Sequence, residues 1–306
     1  MHDHDRSQGD GPQSVFWEIT TGCNLRCIHC RAGDAELMSP DDLTREECCQ
    51  VIDKIAEYAP LDLVFGGGEP LWRRDVFALA NYAASKNLTV SLATNGALVD
   101  EAMAQRIRDA GIRRAAVSLD GASPSTHDTF RGHRGAFDAS VRALRLLREL
   151  GVNTQVDTSV SRHNAHELPE ILALAESLKV QAFHVFRLVP AGCGLSIPEE
   201  QALIGEDAGE ILNWLEEAAL KSNLKLKADC VTVSPRMPGG QTAPGQDCPP
   251  RARTCYVAHR GEVHPCGCTR VSAGNLRKSG FREIWREAPA PAGTVEDRRL
   301  EARSCL

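Results

Sequence analysis

The chain has 306 residues, of which 42% are hydrophobic and 25% charged, and it carries a net charge of -6 with a pI of about 5.9. This composition is typical of a folded globular protein and excludes a disordered chain. The acidic balance also excludes a general attraction to nucleic acid or to an anionic membrane. An anionic ligand would therefore have to meet a local cluster of basic residues.

The N-terminal segment MHDHDRSQGDGPQS is polar and has neither the basic region nor the apolar region of a signal peptide. No run approaches the ~20 apolar residues that a membrane-spanning helix requires. We therefore expect a cytoplasmic protein with no membrane partner. In that reducing compartment, the twelve cysteines are expected to bind metal or to pack in the core instead of forming disulfides.

Six short β-rich runs alternate with segments of helical period in the first two thirds of the chain. The predicted strands are 16–20, 61–65, 89–93, 114–119, 154–160 and 182–188. Repeated βα units require a parallel sheet with right-handed crossovers. They predict an α/β fold, namely a partial (βα)6 barrel that resembles an incomplete TIM barrel, with an open doubly wound sheet as the alternative.

A predicted helix from 199 to about 222 is followed by a segment rich in proline and glycine, which predicts a linker or mobile loop. Further on, apolar residues alternate around Arg260-Gly261-Glu262 and predict a hairpin. We therefore predict a polar N-terminal segment 1–14, a core domain 15–223 and a small cysteine-rich domain 224–306.

Three cysteines follow the first predicted strand in the stretch TGCNLRCIHCRAGD, at Cys23, Cys27 and Cys30. Their spacing suits a redox disulfide, a zinc site, or three irons of a [4Fe-4S] cluster whose fourth iron has no protein ligand. His29 could complete a zinc site, but its place beside Cys30 would demand unusual geometry. The cysteines alone leave these alternatives open.

Glycine-rich and polar motifs end the next three strands: FGGGEP, ATNG and SLDG. Consecutive glycines let the backbone approach a ligand closely, and Glu69 offers a carboxylate to an amino group. The carboxyl ends of parallel strands meet at one rim, where barrels of this kind place their sites. The motifs therefore predict a ligand site at the same rim as the cysteines.

In this order, CNLRCIHC, GGGEP, TNG and SLDG resemble the radical S-adenosylmethionine (SAM) superfamily over about residues 15–190. The resemblance implies that Cys23, Cys27 and Cys30 hold a [4Fe-4S] cluster, whose fourth iron binds the amino and carboxylate groups of SAM. It also implies an enzyme that cleaves SAM to a 5′-deoxyadenosyl radical, which takes a hydrogen atom from a substrate.

The resemblance carries over to single positions in the SAM site. The methionine amino end is expected to meet Gly67, Gly68 and Glu69, and His29 stands where the superfamily usually has an aromatic ring near the adenine. The positions expected near the ribose and carboxylate of SAM are Asn95, Ser118, Asp120 and Ser159.

Four further cysteines surround the predicted hairpin: Cys248, Cys255, Cys266 and Cys268. A zinc ribbon would show two C-x2-C pairs, which this spacing lacks. The pattern GEVHPCGC followed by SAGNLRKSGFREIW resembles the SPASM or twitch extension, which implies an auxiliary iron-sulfur cluster. The full extension has further cysteines, whereas only Cys305 remains here. A truncated sequence, an altered end, or one cluster with Cys305 as a further ligand are open alternatives.

Longer segments such as SLDGASPSTHDTFRG and YVAHRGEVHPCG resemble most the superfamily branch that acts on haem precursors. This implies oxidative decarboxylation of a propionate on a carboxylated tetrapyrrole, with flavodoxin or ferredoxin as a reducing partner. Arginine forks suit such carboxylates. The candidates are Arg131, Arg187, Arg251, Arg253 and Arg260.

Two other functions fit the same motifs. The first is a maturase of a peptide or peptide-derived cofactor, although the short N-terminal segment leaves no room for a folded leader-binding domain. The second belongs to another class, a non-catalytic iron-sulfur or zinc scaffold that has kept the fold. Reductive cleavage of SAM separates both enzymes from the scaffold.

Overall fold

The computed structural model describes residues 11–30, 38–188, 201, 203, 206–229, 254–265 and 271–288. The strands in these ranges are β1 Ser14–Thr20, β2 Asp62–Gly67, β3 Thr89–Thr94, β4 Arg114–Ser118, β5 Asn153–Val160, β6 Ala182–Arg187, β7 Lys225–Asp229, β8 Thr254–Val257, β9 Glu262–His264 and β10 Gly274–Asn275. They form one sheet in the order β10-β9-β8-β1-β2-β3-β4-β5-β6-β7.

Helices connect successive strands and cover the sheet. They are α1 Arg45–Ile55, α2 Val76–Ser85, α3 Glu101–Asp109, α4 Pro124–Arg131, α5 Ala136–Glu149, α6 Leu168–Ser177, α7 Glu206–Ala219 and α8 Phe281–Glu287. Capping hydrogen bonds set where α1 and α3 begin. Helix α1 starts with a capping box between Thr44 and Glu47, and Asp100 accepts a hydrogen bond from Met103 N at 2.7 Å to cap α3.

Strands β1 to β7 run parallel, each hydrogen-bonded to the next. Among the described residues β1 and β7 do not pair, so the parallel strands form an open, partial barrel. The predicted α/β fold is confirmed, and all six predicted strands agree with observed ones to within two residues. The structure adds β7 as a seventh parallel strand.

The core lies between the sheet and its helices. Alternate residues of β1 point into it, and Val15, Trp17 and Ile19 are each at most 1% exposed. Strands that are buried in this way have apolar sequences, so they could be predicted from the sequence. Strand β7 has the sequence KLKAD, and its lysines are exposed at the sheet edge, so its apolar signal is weak.

The predicted hairpin is present after residue 254. Strands β8 and β9 pair antiparallel, and Gly261 takes a left-handed conformation with φ +89° in the turn between them. Strand β8 pairs in parallel with β1, which extends the sheet beyond the barrel strands. The domain boundary near residue 224 stays a prediction, because strands on both sides of it belong to this sheet.

The described residues include no helix long and apolar enough to cross a membrane.

Candidate functional site

The cysteine loop, residues 21–30, leaves β1 at the carboxyl edge of the sheet, and a buried carboxylate fixes its start. Asp42 Oδ2 accepts hydrogen bonds from Thr20 Oγ1 at 2.9 Å and from Thr21 N at 3.0 Å. Asp42 Oδ1 accepts a third from Thr21 Oγ1 at 3.1 Å. Because Asp42 is 7% exposed, these bonds compete little with water.

Helix α4 fixes the other end of the loop. Ile28 N donates to Phe130 O at 3.1 Å, and His29 Nδ1 lies 3.2 Å from the same oxygen. Gly132 ends the helix in a left-handed conformation, and a Cβ there would stand 2.2 Å from Arg26 O. Glycine is therefore required where α4 meets the loop.

The thiols of the loop have polar neighbours. Cys23 Sγ accepts from Leu25 N at 3.4 Å and from Asn95 Nδ2 at 3.8 Å. Cys27 Sγ accepts from Arg131 Nη1 at 3.9 Å. Burial above all, with smaller contributions from neighbouring charges, raises the pKa of the Cys23 thiol to about 11, although the hydrogen bond from Leu25 N lowers it. Metal binding at Cys23 must therefore displace a proton.

The donor set of the loop, three cysteine thiols, fits an iron-sulfur cluster. In the described part of the chain, no three Cys, His, Asp or Glu side chains form a group that could hold a single ion. Hydrogen-bond donors at Cys23 and Cys27 also suit thiolate ligands, whose charge they stabilise.

The glycines after β2 let the chain approach the cysteine loop. A Cβ at Gly67, which has φ +125°, would stand 2.3 Å from Thr20 O. One at Gly68 would stand 2.3 Å from Gly22 O. In this close packing Gly68 N donates to Thr20 O at 2.9 Å, and Glu69 N donates to Gly22 O at 2.8 Å. These glycines thus dock the second strand end against the loop.

Glu69 is fully buried and held in one orientation. Its Oε1 accepts from Leu71 N at 3.1 Å and Thr94 Oγ1 at 2.8 Å, and its Oε2 accepts from Asn95 N at 2.8 Å. Burial raises the pKa of Glu69 to about 7, although these hydrogen bonds lower it. The rim between β2 and β3 therefore holds a carboxyl group, that of Glu69, which changes its ionisation near neutral pH.

Asn95, Ser118 and Ser159 lie at or beyond the carboxyl ends of β3, β4 and β5. Asn95 Nδ2 donates to Asn24 Oδ1 at 2.8 Å, which ties the third strand end to the cysteine loop. Ser118 pairs in register with Asp157 at the end of β4. Of the three, Asn95 contacts the loop directly.

Asp120 follows β4, is fully buried, and is engaged by the protein itself. Its Oδ1 accepts from Ser159 N at 2.8 Å, and its Oδ2 lies 2.6 Å from Arg131 Nε and 4.0 Å from His29 Nε2. The Nε–H is not aimed along a hydrogen bond, so the contact is an ion pair. Burial opposes the ionisation of Asp120, but Arg131 above all holds its pKa below the usual range.

Two buried histidines surround this ion pair. His127 Nδ1 accepts from Asp120 N at 2.9 Å, which places the proton of the neutral ring on Nε2. Burial, with the charge of Arg131, lowers the pKa of both His127 and His29 to about 4. Both rings are therefore neutral at pH 7, and the Asp120–Arg131 pair carries the charge.

Aromatic rings stack outward from the cysteine loop. His29 lies on Phe130 with ring centroids 3.9 Å apart and an angle of 12°. Phe130 stacks in turn on His163 with a centroid distance of 5.6 Å. One face of the His29 ring is thus covered by the protein.

Comparison with known sequences decides the family. Residues 17–175 match the radical SAM superfamily, and residues 248–305 match SPASM, an iron-sulfur cluster-binding domain. The chain belongs to the radical SAM superfamily. The predicted enzyme class and cofactors are confirmed: this is an iron-sulfur enzyme whose cofactors are a [4Fe-4S] cluster and SAM, with an auxiliary iron-sulfur domain.

Relatives agree with this membership, and a solved structure agrees in fold. The chain is 37% identical over 295 residues to the AdoMet-dependent heme synthase of Methanosarcina barkeri (strain Fusaro / DSM 804), covering 91% of this chain and 83% of that protein. It is 31% identical over 291 residues to the Fe-coproporphyrin III synthase of the same organism, covering 89% and 73%. The structure of Streptococcus suis SuiB bound to S-adenosylmethionine matches in fold with a TM-score of 0.70 at 13% identity, covering 92% and 67%.

Most of the predicted auxiliary ligands, Cys248, Cys266, Cys268 and Cys305, lie outside the described residues. Cys255 is described and is 0% exposed in β8, where it pairs in register with Val15. Its Sγ lies 3.8 Å from two carbonyl oxygens, those of Tyr256 and His264. This is the environment of a residue that packs in the core, and its role as a ligand stays a prediction.

The arginines predicted to meet a carboxylated substrate have different surroundings. Arg131 is paired with Asp120 inside the site, and Arg260 lies on the hairpin turn 2.6 Å from Asp41. The side chain of Arg187, and the whole of Arg251 and Arg253, lie outside the described residues. Arg131 and Arg260 would each have to leave an acidic partner before binding a substrate carboxylate.

Sequence reasoning missed three contributors to the site. Thr94 belongs to the ATNG motif, so its bond to Glu69 could have been anticipated from its neighbour Asn95. Asp42 and Phe130 carry no motif. Their roles depend on which segments meet in three dimensions.

Proposed function

We propose that this radical SAM enzyme acts in tetrapyrrole biosynthesis and converts a propionate side chain of a carboxylated haem precursor into a vinyl group. The observation that carries the proposal is 37% identity across 91% of the chain to the heme synthase of Methanosarcina barkeri. Similarity over this length includes both the barrel and the C-terminal region.

In this proposal Cys23, Cys27 and Cys30 each bind one iron of the cluster, and the fourth iron is left to SAM. When bound, the two cofactors supply the one-electron cleavage of SAM and the removal of a hydrogen atom from the substrate. The chain holds the thiolates in place and excludes water. The first task is supported by the anchoring of the cysteine loop, at its start by Asp42 and at its end by α4.

The strand ends would hold SAM. Glu69 would accept hydrogen bonds from the amino group of SAM, next to the backbone of Gly67 and Gly68. Asn95, Ser118 and Ser159 would contact the ribose and carboxylate, and His29 would contribute its ring near the adenine. Asp120 would act there through Arg131, because its carboxylate is already engaged by the protein.

The proposed substrate step is an oxidative decarboxylation. One hydrogen atom leaves the propionate carbon β to the carboxylate, the bond to the carboxylate breaks, and carbon dioxide departs. The two carbons that remain form the vinyl double bond, and one electron is left over. We assign that electron to an auxiliary iron-sulfur cluster in the C-terminal domain, 224–306, held by cysteines from the set Cys248, Cys255, Cys266, Cys268 and Cys305.

The cleavage of SAM consumes one electron per turnover, so the enzyme needs a low-potential one-electron donor. We propose a small redox protein of the flavodoxin or ferredoxin class for this role.

The first experiment tests the initiation chemistry. The protein is reconstituted with iron and sulfide, reduced with dithionite, and assayed for 5′-deoxyadenosine released from SAM. Cys27→Ala should abolish both cleavage and the iron-sulfur absorbance of the first cluster, whereas Cys266→Ala should lower cluster content and spare SAM cleavage. Cys49→Ala, in α1, is the matched control and should behave as wild type. A wild-type protein that binds iron but never cleaves SAM would instead be a scaffold.

The second experiment tests the substrate. Reduced enzyme with SAM is incubated with iron-coproporphyrin III and analysed by mass spectrometry for successive losses of the elements of formic acid. Such products would support the proposal. Active SAM cleavage with the tetrapyrrole left unchanged would contradict it and favour modification of a peptide.

A further inference from the structure

Arg131 lies between a buried carboxylate and a cysteine of the cluster loop. Its Nε is 2.6 Å from Asp120 Oδ2, while its Nη1 is 3.9 Å from Cys27 Sγ. The Arg131 side chain is 11% exposed and that of Asp120 is 0% exposed. A guanidinium that reaches both groups brings a fixed positive charge to the edge of the cluster site.

The position of Arg131 is set by the backbone around it. It is the last residue of α4, and the residues on both sides of it contact the cysteine loop. Phe130 O accepts from Ile28 N at 3.1 Å, and Gly132 packs against Arg26 O so closely that no side chain would fit. The backbone that carries Arg131 is therefore held against the cysteine loop on both sides, and the contact with Asp120 directs its side chain.

We propose that Arg131, positioned by Asp120, raises the reduction potential of the cluster bound to Cys27. Reduction adds one electron from a low-potential donor and makes the cluster more negative by one charge. A positive charge beside a ligand sulfur stabilises this reduced form more than the oxidised form, and burial weakens screening by water. Hydrogen bonds to cluster sulfurs act in the same direction.

This inference rests on the proposed role of Cys27 as a ligand, but it does not depend on the substrate. Arg131 is a positioning residue, because it acts on the electron transfer indirectly, through the sulfur of Cys27. The potential is measured without SAM or tetrapyrrole. Failure of the haem-precursor proposal would consequently leave the result intact, and loss of the cluster in Cys27→Ala tests the ligand role separately.

The experiment is a redox titration of the reconstituted full chain, followed by the EPR signal of the reduced cluster. In Arg131→Gln, the ratio of reduced to oxidised cluster at a fixed potential should fall by about tenfold, which corresponds to about 59 mV for one electron. Arg131→Lys, which keeps the charge but loses the fork, should fall between wild type and Arg131→Gln. The control Arg134→Gln, at an exposed position three residues further on, should match wild type.

The proposal is overturned if Arg131→Gln, with full iron content, has the wild-type potential. It is also overturned if Arg131→Lys and Arg131→Gln are lowered equally, because charge would then not be the cause. Should Arg131→Gln fail to assemble the cluster, Arg131→Lys decides. If Arg131→Lys assembles a cluster with a potential near that of wild type, the role of the charge is supported. If Arg131→Lys also loses the cluster, the role of Arg131 is structural only and the proposal is overturned.

Discussion

Asp42 holds Thr21 at two points, through the backbone N–H at 3.0 Å and through the side-chain hydroxyl at 3.1 Å. The next residue, Leu43, donates its N–H to His259 O in the hairpin turn at 3.1 Å. One short segment thus joins the start of the cysteine loop to the C-terminal hairpin. The hydrogen bonds of Asp42 are buried or partly buried, whereas the ion pair of its neighbour Asp41 with Arg260 is exposed.

Asp42→Asn should destabilise the protein by about 1–3 kcal/mol, because an amide group would face an N–H or O–H donor inside the protein. We also expect lower iron content after reconstitution, since Thr21 leads into the cysteine loop. Urea unfolding and iron analysis measure the two effects.

Asp41→Asn is the control at the adjacent position. It removes an exposed ion pair with Arg260, which is worth at most about 1 kcal/mol. Equal losses from Asp41→Asn and Asp42→Asn would show that burial and hydrogen bonding at the loop start do not matter.

Gly68→Ala should separate the second strand end from the cysteine loop. Its Cβ would stand 2.3 Å from Gly22 O and 2.5 Å from Thr21 O, and backbone atoms cannot turn away as a flexible side chain can. We expect a loss of about 1–3 kcal/mol and weaker binding of SAM, measured by urea unfolding and calorimetry.

The matched control for this change is Gly209→Ala in α7. A Cβ at Gly209 would meet no atom within 4 Å, and alanine favours a helix by about 1 kcal/mol, so the variant should be slightly more stable. A Gly68→Ala protein as stable as wild type would mean that the contact between these two segments is loose.

The sequence predicted six of the seven parallel strands, because each of these six has apolar residues that face the core. It also located the strand-end motifs, since order along the chain fixes the order of parallel strands at the rim. It explained the glycines incompletely. Gly68 was expected to make room for a ligand, and the structure shows that it also makes room for the backbone of Gly22.

The parts that could not be predicted are contacts between distant segments. Nothing in the sequence pairs Arg131 with Asp120, or Asp42 with Thr21, because neither pair has a characteristic spacing. Strand β7 was also missed, because its sequence KLKAD is too polar to stand out, although it adds a seventh strand to the parallel sheet.

Glu69→Gln should weaken SAM binding by about tenfold or more while leaving the iron content unchanged. The charge that would attract the amino group of SAM is lost, and the amide NH₂ of glutamine would face a donor, Asn95 N or Thr94 Oγ1. Calorimetric titration of SAM into the reconstituted protein measures the affinity.

Glu149→Gln, at an exposed position at the end of α5, removes the same charge far from the rim and should bind SAM as wild type does. Wild-type affinity in Glu69→Gln would remove Glu69 from the SAM site.

His127 should make the protein less stable in mild acid. Its pKa is lowered by burial to about 4, from an ordinary value of 6.5, and the groups that face it are Asp120, Asp128, Arg131 and the ring of Phe137. Between pH 6.5 and about 4, His127 is protonated in the unfolded chain but stays neutral in the folded chain. Stability is therefore complete above pH 6.5 and is lost as the pH falls, by about 2 kcal/mol between pH 7.5 and 5.

The test compares the free energies of unfolding of wild type and His127→Asn at these two pH values, from anaerobic urea titrations. Asparagine keeps an acceptor for Asp120 N but does not titrate. Glu69 acts in the opposite direction, because its raised pKa lowers stability as the pH rises toward 7. Since Glu69 is present in both proteins, its contribution cancels in the difference between them.

The wild-type free energy should fall by about 2 kcal/mol more than that of His127→Asn over this interval. His133→Asn, at an exposed position after α4, should follow the wild-type curve. Parallel curves for wild type and His127→Asn would mean that His127 takes up its proton inside the folded protein. In that case the buried network would hold a second positive charge beside Arg131.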